Sequence, residues 1–281
     1  MTNPGQPLPW PAGATSAASF TFDVDAESAV LAISQAAESR LSVMSHQAYG
    51  PRVGVPRLLG LLDRHRIRST FFVPGMTAER YPEVVRDIAA AGHEIAHHGY
   101  RHLPPSSVSV DEEVDELDRG LDILEALTGS RPVGYRAPMW DMSTRTPDLL
   151  VERGFLYDSS LMDADAPYEL TVEHHAESLV EIPLHWALDD WEQYCFLPDI
   201  SMLGPIQTAA NATALWREEF YGLHEAGGCW VLTNHPFLSG RPGRAKELGR
   251  LMQEVVQTQG VWVATMAEIA SHARSIIFDQ G

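Results

Sequence analysis

The chain reads as an α/β protein built on a parallel sheet, and three observations predict this. Short apolar runs alternate with helix-like segments through most of the sequence, the pattern of parallel strands joined by crossover helices. Gly, Pro or polar residues bound most of these runs, as they bound buried strands. Finally, 281 residues with 44% hydrophobic content suffice to bury one sizeable core, and α/β barrels of that length commonly form one domain. We therefore expect an N-terminal arm over 1–18, rich in Pro, Gly, Ala and Ser and frayed or late to order, and a single barrel domain over 19–275.

Strand candidates fall at 19–24 (SFTFDV), 69–73 (STFFV), 93–98 (HEIAHH), 132–137 (PVGYRA), 155–160 (FLYDSS), 179–183 (LVEIP), 229–234 (CWVLTN) and 261–265 (VWVAT). The clearest helix begins at Ser109, where Ser-Val-Asp-Glu forms a capping box through Glu112. Val114, Leu117, Leu121 and Leu124 then recur at helical spacing, and Gly129 ends the segment. Further helices are expected over 55–66, 81–92, 146–154, 206–226 and 245–257. Two connections, 40–54 and 161–178, are long and polar; such segments either wall a cleft or serve packing and subunit contact. No internal repeat points to a solenoid.

Acidic residues outnumber basic ones by 38 to 20, a formal charge of −18 that opposes phosphate backbones and anionic lipid as partners. The first residues, MTNPGQPLPWPAGATSAASF, contain no basic start and no apolar run of the roughly 7–15 residues of a secretory leader. No stretch approaches the roughly 18 apolar residues of a membrane span. The expected location is cytoplasmic. Cys195 and Cys229 stand in unrelated contexts, which suits buried small apolar residues and neither a disulfide framework nor a paired metal motif.

Asp23 and Asp25 close the first strand candidate, and the period of two sends both carboxylates to one side. At the C-terminal end of a barrel strand, that is active-site territory. Such a pair is costly unless one member binds a cation or takes a proton. The alternative, one aspartate capping a helix and the other solvated, is weakened because Glu27 suits the helix start better. GHEIAHHGYRHLPP places His98 and His102 four residues apart, a spacing that can bring two imidazoles to one metal. His93 and His97 share that spacing, so the histidines alone do not identify the ligands. An Asp with two His makes a three-ligand set for a catalytic divalent ion with open positions, suited to Zn and compatible with Co or Mn.

With TFDVDAE, HHGYRH, GYRAPMW, YDSSLM and LTNHPFLSG in that order, the chain resembles the polysaccharide deacetylase family, which shares the nodulation-factor deacetylase homology domain (carbohydrate esterase family 4), over roughly residues 19–270. The resemblance implies a distorted (β/α) barrel of about seven parallel strands. It implies one divalent metal held by Asp25, His98 and His102, with Asp23 as general base. Arg136 would orient and ion-pair with that base, and His235 would be the general acid. Pro138, Trp140 and the strand bearing Asp158 would shape the groove, and Trp186 is a further candidate substrate contact. The bland readings are a barrel-end salt bridge for Arg136, a structural role for His235, and core or rim packing for Trp140 and Trp186. Asp189 and Asp190 of WALDDW flank the cleft or sit in a solvated loop. The sequence departs from the family pattern where Val24 separates the two aspartates.

VGVPRLLGLL, YDSSLM, EIPLHWALDDW and HPFLSGRP resemble a branch that holds cyclic imide hydrolases, allantoinase-like enzymes and leaderless peptidoglycan deacetylases, which implies a homo-oligomer. The leading expectation is a metal-dependent hydrolase of non-peptide C–N bonds, an N-deacetylase of an acetylated sugar. The runner-up is a cytoplasmic ring-opening amidohydrolase of a small cyclic imide or ureide. A catalytically silent binding protein is a third reading, opposed by the intact set Asp23, Asp25, His98, His102, Arg136 and His235.

Overall fold

The computed structural model describes residues 7–172, 178–200 and 202–278. Its strands are β1 (Ser16–Asp23), β2 (Thr70–Val73), β3 (Glu94–His97), β4 (Gly134–Tyr135), β5 (Tyr157–Asp158), β6 (Tyr168–Leu170), β7 (Leu179–Glu181), β8 (Cys229–Asn234) and β9 (Val261–Val263). They form one sheet in the order β6-β7-β5-β4-β3-β2-β1-β8, with β9 paired to β1 off that path. Every pairing is parallel except β6 with β7. The sheet curls into a distorted half-barrel, and an isolated parallel bridge between Asp189 and Thr233 lies at its open side.

Each apolar run named above overlaps one strand. The strand count exceeds the expected seven for two reasons. β9 meets only Ser16–Ala18 of β1, below the stretch where Thr21–Asp23 pairs with β2. β6 is a short antiparallel edge strand inside the segment 161–178, of which residues 173–177 lie outside the described residues.

The period of two in β1 sorts the two faces. Ala18, Phe20, Phe22 and Val24 point outward into the main apolar cluster, where Phe20 meets Trp230 edge-on at 5.3 Å and Phe22 stacks on Phe71 at 4.8 Å. Thr21 and Asp23 turn inward, where Thr21 lies hydrogen-bonded to Thr233. The half-barrel interior is therefore polar at its C-terminal end, while helices cover the outside. Among the described residues no helix is long and apolar enough to cross a membrane.

The helix over Val110–Thr128 has the expected capping box at Ser109 and ends at Gly129 in the left-handed conformation. Three expectations need correction. β1 starts at Ser16 rather than residue 19, and the arm before it is packed from residue 7 on, with Leu8 and Trp10 buried and Trp10 Nε1 donating to Gly227 O at 2.8 Å. A helix over Met266–Ile277, opened by a second capping box at Thr265 and Glu268, had no counterpart in the sequence reading. Segment 40–54 is not a loop but a helix (Leu41–Tyr49) and a π-turn (Gly50–Gly54) running into the helix Val55–His65. It packs against the short helix Pro236–Ser239 that follows β8, and none of its residues lines the cavity over the candidate site.

That packing needs glycine. A Cβ on Gly54 would lie 2.2 Å from Pro236 O, and one on Gly240 would lie 2.5 Å from Gly54 Cα. Gly54→Ala must push the two backbones apart, an overpacking expected to cost about 1–3 kcal/mol. Urea unfolding monitored by circular dichroism would show a lowered midpoint; an unchanged midpoint would mean the contact is slack.

Candidate metal centre

Parallel pairing brings the C-terminal ends of β1, β3, β4, β5 and β8 to one edge, where sites of α/β barrels are built. The chain leaves β1 sharply: Val24 N donates to Phe72 O at 2.8 Å, and Ala26 takes φ 50 and ψ −135 before the helix Glu27–Ile33. Val24 is buried in the outer apolar cluster. The residue that separates the two aspartates thus turns to the opposite face and leaves Asp23 and Asp25 on the same one. Glu27 starts that helix and accepts from Tyr81 Oη at 2.7 Å.

β3 sorts the histidines by the same rule. His97 turns outward, where its Nε2 donates to Leu117 O at 3.1 Å and its Nδ1 accepts from Gly99 N at 3.1 Å. His93 accepts from Ser69 N at 3.2 Å near the start of the strand. His98 turns inward. Its Nδ1 donates to Arg136 O at 2.7 Å, which leaves the Nε2 lone pair facing Asp25. The turn after it places Gly99 at φ 68 and His102 at φ 64, a left-handed conformation uncommon for a non-glycine residue. His102 Nε2 then lies 3.4 Å from Asp25 Oδ2, while His98 Nε2 lies 3.5 Å from Asp25 Oδ1.

These separations suit a metal better than hydrogen bonds. Ligand atoms bound tetrahedrally at about 2.0–2.2 Å from one ion lie roughly 3.3–3.6 Å apart. One donor atom from each of Asp25, His98 and His102 falls within 4.8 Å of the others. Asp25 Oδ1 and His102 Nδ1 are buried without a hydrogen-bond partner, and an ion would satisfy the carboxylate. Burial opposes charge on Asp25, but His102, His235 and His98 together hold its carboxyl below the usual range. Burial pushes His98 down to about 4, the neutral form a metal ligand requires.

Arg136, at the end of β4, is fully buried. Its Nη1 donates to Asp23 Oδ1 at 2.7 Å, to Thr21 Oγ1 at 3.0 Å and to Thr233 Oγ1 at 3.2 Å. Nε and Nη2 reach Ser159 O and Oγ, and the guanidinium lies over the Phe72 ring at 4.0 Å. Asp23 Oδ2 faces His98 Nε2 at 3.9 Å. His235, just after β8, directs Nε2 to within 3.5 Å of Asp25 Oδ2 and donates through Nδ1 to Asp190 Oδ1 at 2.8 Å. Burial opposes charge on His235, but Asp189 and Asp190 raise it well above the ordinary histidine range. Asp189 is itself pushed up to about 6 by burial.

A cavity of ≈ 120 Å³ opens over these groups. Trp140 and Trp186 stack at 4.4 Å on its wall, with Met139, Trp191 and Met202 beside them. Met139 and Trp140 both have positive φ, so the wall is built on a strained turn. Pro138 is not among the lining residues; it is buried against Gly99, whose added Cβ would lie 3.0 Å from the proline ring. Asp158 is buried on β5 in register with Glu181 of β7, and both carboxyls are pushed up, first by burial.

Residues the sequence reading left open or missed also shape the site. Asp190 is buried and accepts from His235 N at 2.8 Å, from Ser239 N at 3.1 Å and from Ser239 Oγ. The Asp-Asp of WALDDW was the available signal for it. Glu116, on the helix Val110–Thr128, clamps the turn between the histidines: Tyr100 N and Arg101 N donate to its Oε2 at 3.0 and 2.6 Å, and Arg101 Nε to its Oε1 at 2.6 Å. Its place beside Leu117 on the buried face of that helix, which also carries Glu113, was the available signal.

A curled parallel half-barrel with an Asp-His-His cluster at its strand ends defines a class of (β/α) hydrolase scaffold. Residues 42–157 match the family described as Polysaccharide deacetylase. A peptidoglycan deacetylase of Helicobacter pylori is 30% identical over 89% of this chain and 94% of its own. The crystal structure of a Mycobacterium smegmatis protein assigned as a polysaccharide deacetylase superposes with a TM-score of 0.94 at 57% identity, covering 97% of this chain and 95% of that one. The allantoinase PuuE gives a TM-score of 0.84 at 27% identity over 98% and 95% of the two chains. The chain belongs to the polysaccharide deacetylase family, hydrolases of amide C–N bonds.

Two outcomes follow from this geometry. Glu116→Ala is expected to weaken metal binding about 10–100-fold, as loss of an outer-shell support does, while Glu116→Gln loses less. Competition against a chromogenic chelator measures it, and equal affinities would show that the turn holds itself. Burial pushes His97 down to about 3, so it is neutral when folded and titrates near 6.5 when unfolded. Between those values the unfolded chain binds the extra proton, so its contribution to stability is present above about pH 6.5 and lost as pH falls toward 3. Urea unfolding of the metal-free protein across that window should lose up to one proton of pH dependence in His97→Gln; identical slopes would contradict it.

Proposed function

We propose that the protein is a metal-dependent hydrolase of non-peptide C–N bonds, acting as an N-deacetylase on acetylated amino sugars. The observation that carries this is the buried Asp25, His98 and His102 cluster with Asp23 on one flank and His235 on another. Asp25, His98 and His102 would hold one divalent ion, with Zn favoured by the donor set and Co or Mn compatible. When bound, the ion supplies Lewis acidity toward an amide carbonyl and acidifies water.

The remaining chemistry belongs to the chain. Arg136 occupies Asp23 Oδ1 and leaves Oδ2 toward the cluster, where it can take a proton from the attacking water. His235 holds a proton at Nε2, kept there by the anionic partner at Nδ1, and can deliver it to the departing nitrogen. Trp140 and Trp186 would bind the group around the scissile amide and keep bulk water out. Pro138 acts behind them by shaping the turn.

A second reading, ring opening of a small cyclic imide or ureide, is favoured by the size of the cavity and its aromatic walls, and by the likeness to an allantoinase. The same base, acid and ion would serve a ring carbonyl. The branch motifs support a homo-oligomer, working in the cytoplasm, of chains that each form one barrel domain beginning with β1 at Ser16.

The test is a parallel assay of Zn- or Co-loaded protein, scoring acetate release from N-acetylated sugar oligomers against ring opening of cyclic imides and ureides. Acetate release supports the first reading and ring opening the second; turnover of neither, in metal-loaded protein, overturns both. His98→Ala is expected to lose metal and activity together, whereas Asp23→Asn keeps metal and loses turnover by at least about 100-fold. Full metal stoichiometry in purified His98→Ala would remove the ligand assignment.

A further inference from the structure

The charges that line the cavity are not balanced at its lip. Inside, the charges have partners: Asp23 is paired with Arg136 at 2.7 Å, and Asp189 and Asp190 share His235 at 3.4 and 2.8 Å. Asp25 belongs to the cluster of candidate ligands. Glu192 is different. It lines the cavity from the helix Asp190–Tyr194, is solvent-exposed, and makes no hydrogen bond or ion pair among the described residues. No Lys or Arg is among the described residues lining the cavity. Trp140, Trp186 and Met139 also line the cavity and bring no positive charge to it.

We propose that Glu192 is a specificity-determining residue that admits neutral or cationic amides and rejects substrates carrying a carboxylate beside the scissile amide. The inference rests on the amide-hydrolase reading above. Its physical basis is like-charge repulsion between Glu192 and an anionic substrate group at the solvent-exposed edge of the cavity, where the described lining residues include no Lys or Arg. In the deacetylase reading the charge also suits one product: the amine released takes a proton at neutral pH, and a free carboxylate at the exit attracts the ammonium. Because Glu192 is exposed, the effect is modest and falls with salt.

The test measures binding, so that it does not depend on turnover. Acetohydroxamic acid and succinohydroxamic acid share one metal-binding group and differ by a carboxylate. Their dissociation constants for Zn-loaded protein are measured by titration calorimetry in wild type and in Glu192→Gln. The ratio of the two constants should fall about three- to fivefold in the variant at low ionic strength, and the difference between the proteins should vanish near 0.5 M salt, where screening is nearly complete. A ratio that does not change between wild type and Glu192→Gln overturns the proposal, as does a change that salt leaves intact. Turnover is scored separately on dihydrouracil and dihydroorotate, and on N-acetylglucosamine oligomers and N-acetylmuramic acid. Charge-selective hydroxamate binding with no turnover of any of the four leaves Glu192 as assigned and removes the hydrolase reading; turnover without charge selection does the reverse.

Discussion

The site depends on one buried cation. Arg136 lies within the half-barrel with every nitrogen engaged, and it ties β1 through Thr21 and Asp23, β8 through Thr233, and the end of β5 through Ser159. Its own carbonyl holds His98 in the tautomer that faces Asp25. A single residue thus orients both the aspartate nearest the cluster and one of the candidate ligands. Burying a guanidinium is costly, and removing one partner of such a pair typically costs ~3–5 kcal/mol because the other is left uncompensated. The network tolerates the charge because Asp23 neutralises it, hydroxyls and a carbonyl satisfy the remaining donors, and the Phe72 face covers it.

Around that network the protein divides polar from apolar by strand face. The outer faces of β1, β2 and β8 carry the aromatic packing, with Phe20, Phe22, Phe71 and Trp230 in one cluster under the helices. The inner faces carry Thr21, Asp23, Arg136 and Thr233. Irregular backbone is concentrated at the same edge: Ala26, His102, Met139 and Trp140 all have positive φ, and all lie on connections that leave the C-terminal ends of strands. Strained connections on a rigid sheet allow side chains from distant parts of the chain to converge without disturbing the core. Glu116 and Asp190 then brace the convergent groups from behind, the first through the backbone of the His98–His102 turn and the second through the His235 ring.

Much of this was legible in the sequence where the information is local. The alternation of apolar runs marked each parallel strand, the capping box at Ser109 marked a helix start, and the spacing in TFDVDAE put two carboxylates on one face. The polar composition of 40–54 misled, because the close approach of Gly50 and Gly54 to Pro236 and Phe237 is made with a segment almost two hundred residues away. Likewise nothing local distinguished His93 and His97 from His98 and His102.

By itself the sequence determined the α/β alternation, the order of the chemistry-bearing motifs and the residue types available to a metal, since each is set within a few residues by helical or strand periodicity. Tertiary structure alone decided which imidazoles turn inward, which carboxylates are paired, and which one, Glu192, is left exposed at the cavity mouth. Those outcomes depend on strand register and on which faces the helices cover, and both arise from contacts between segments far apart in the chain.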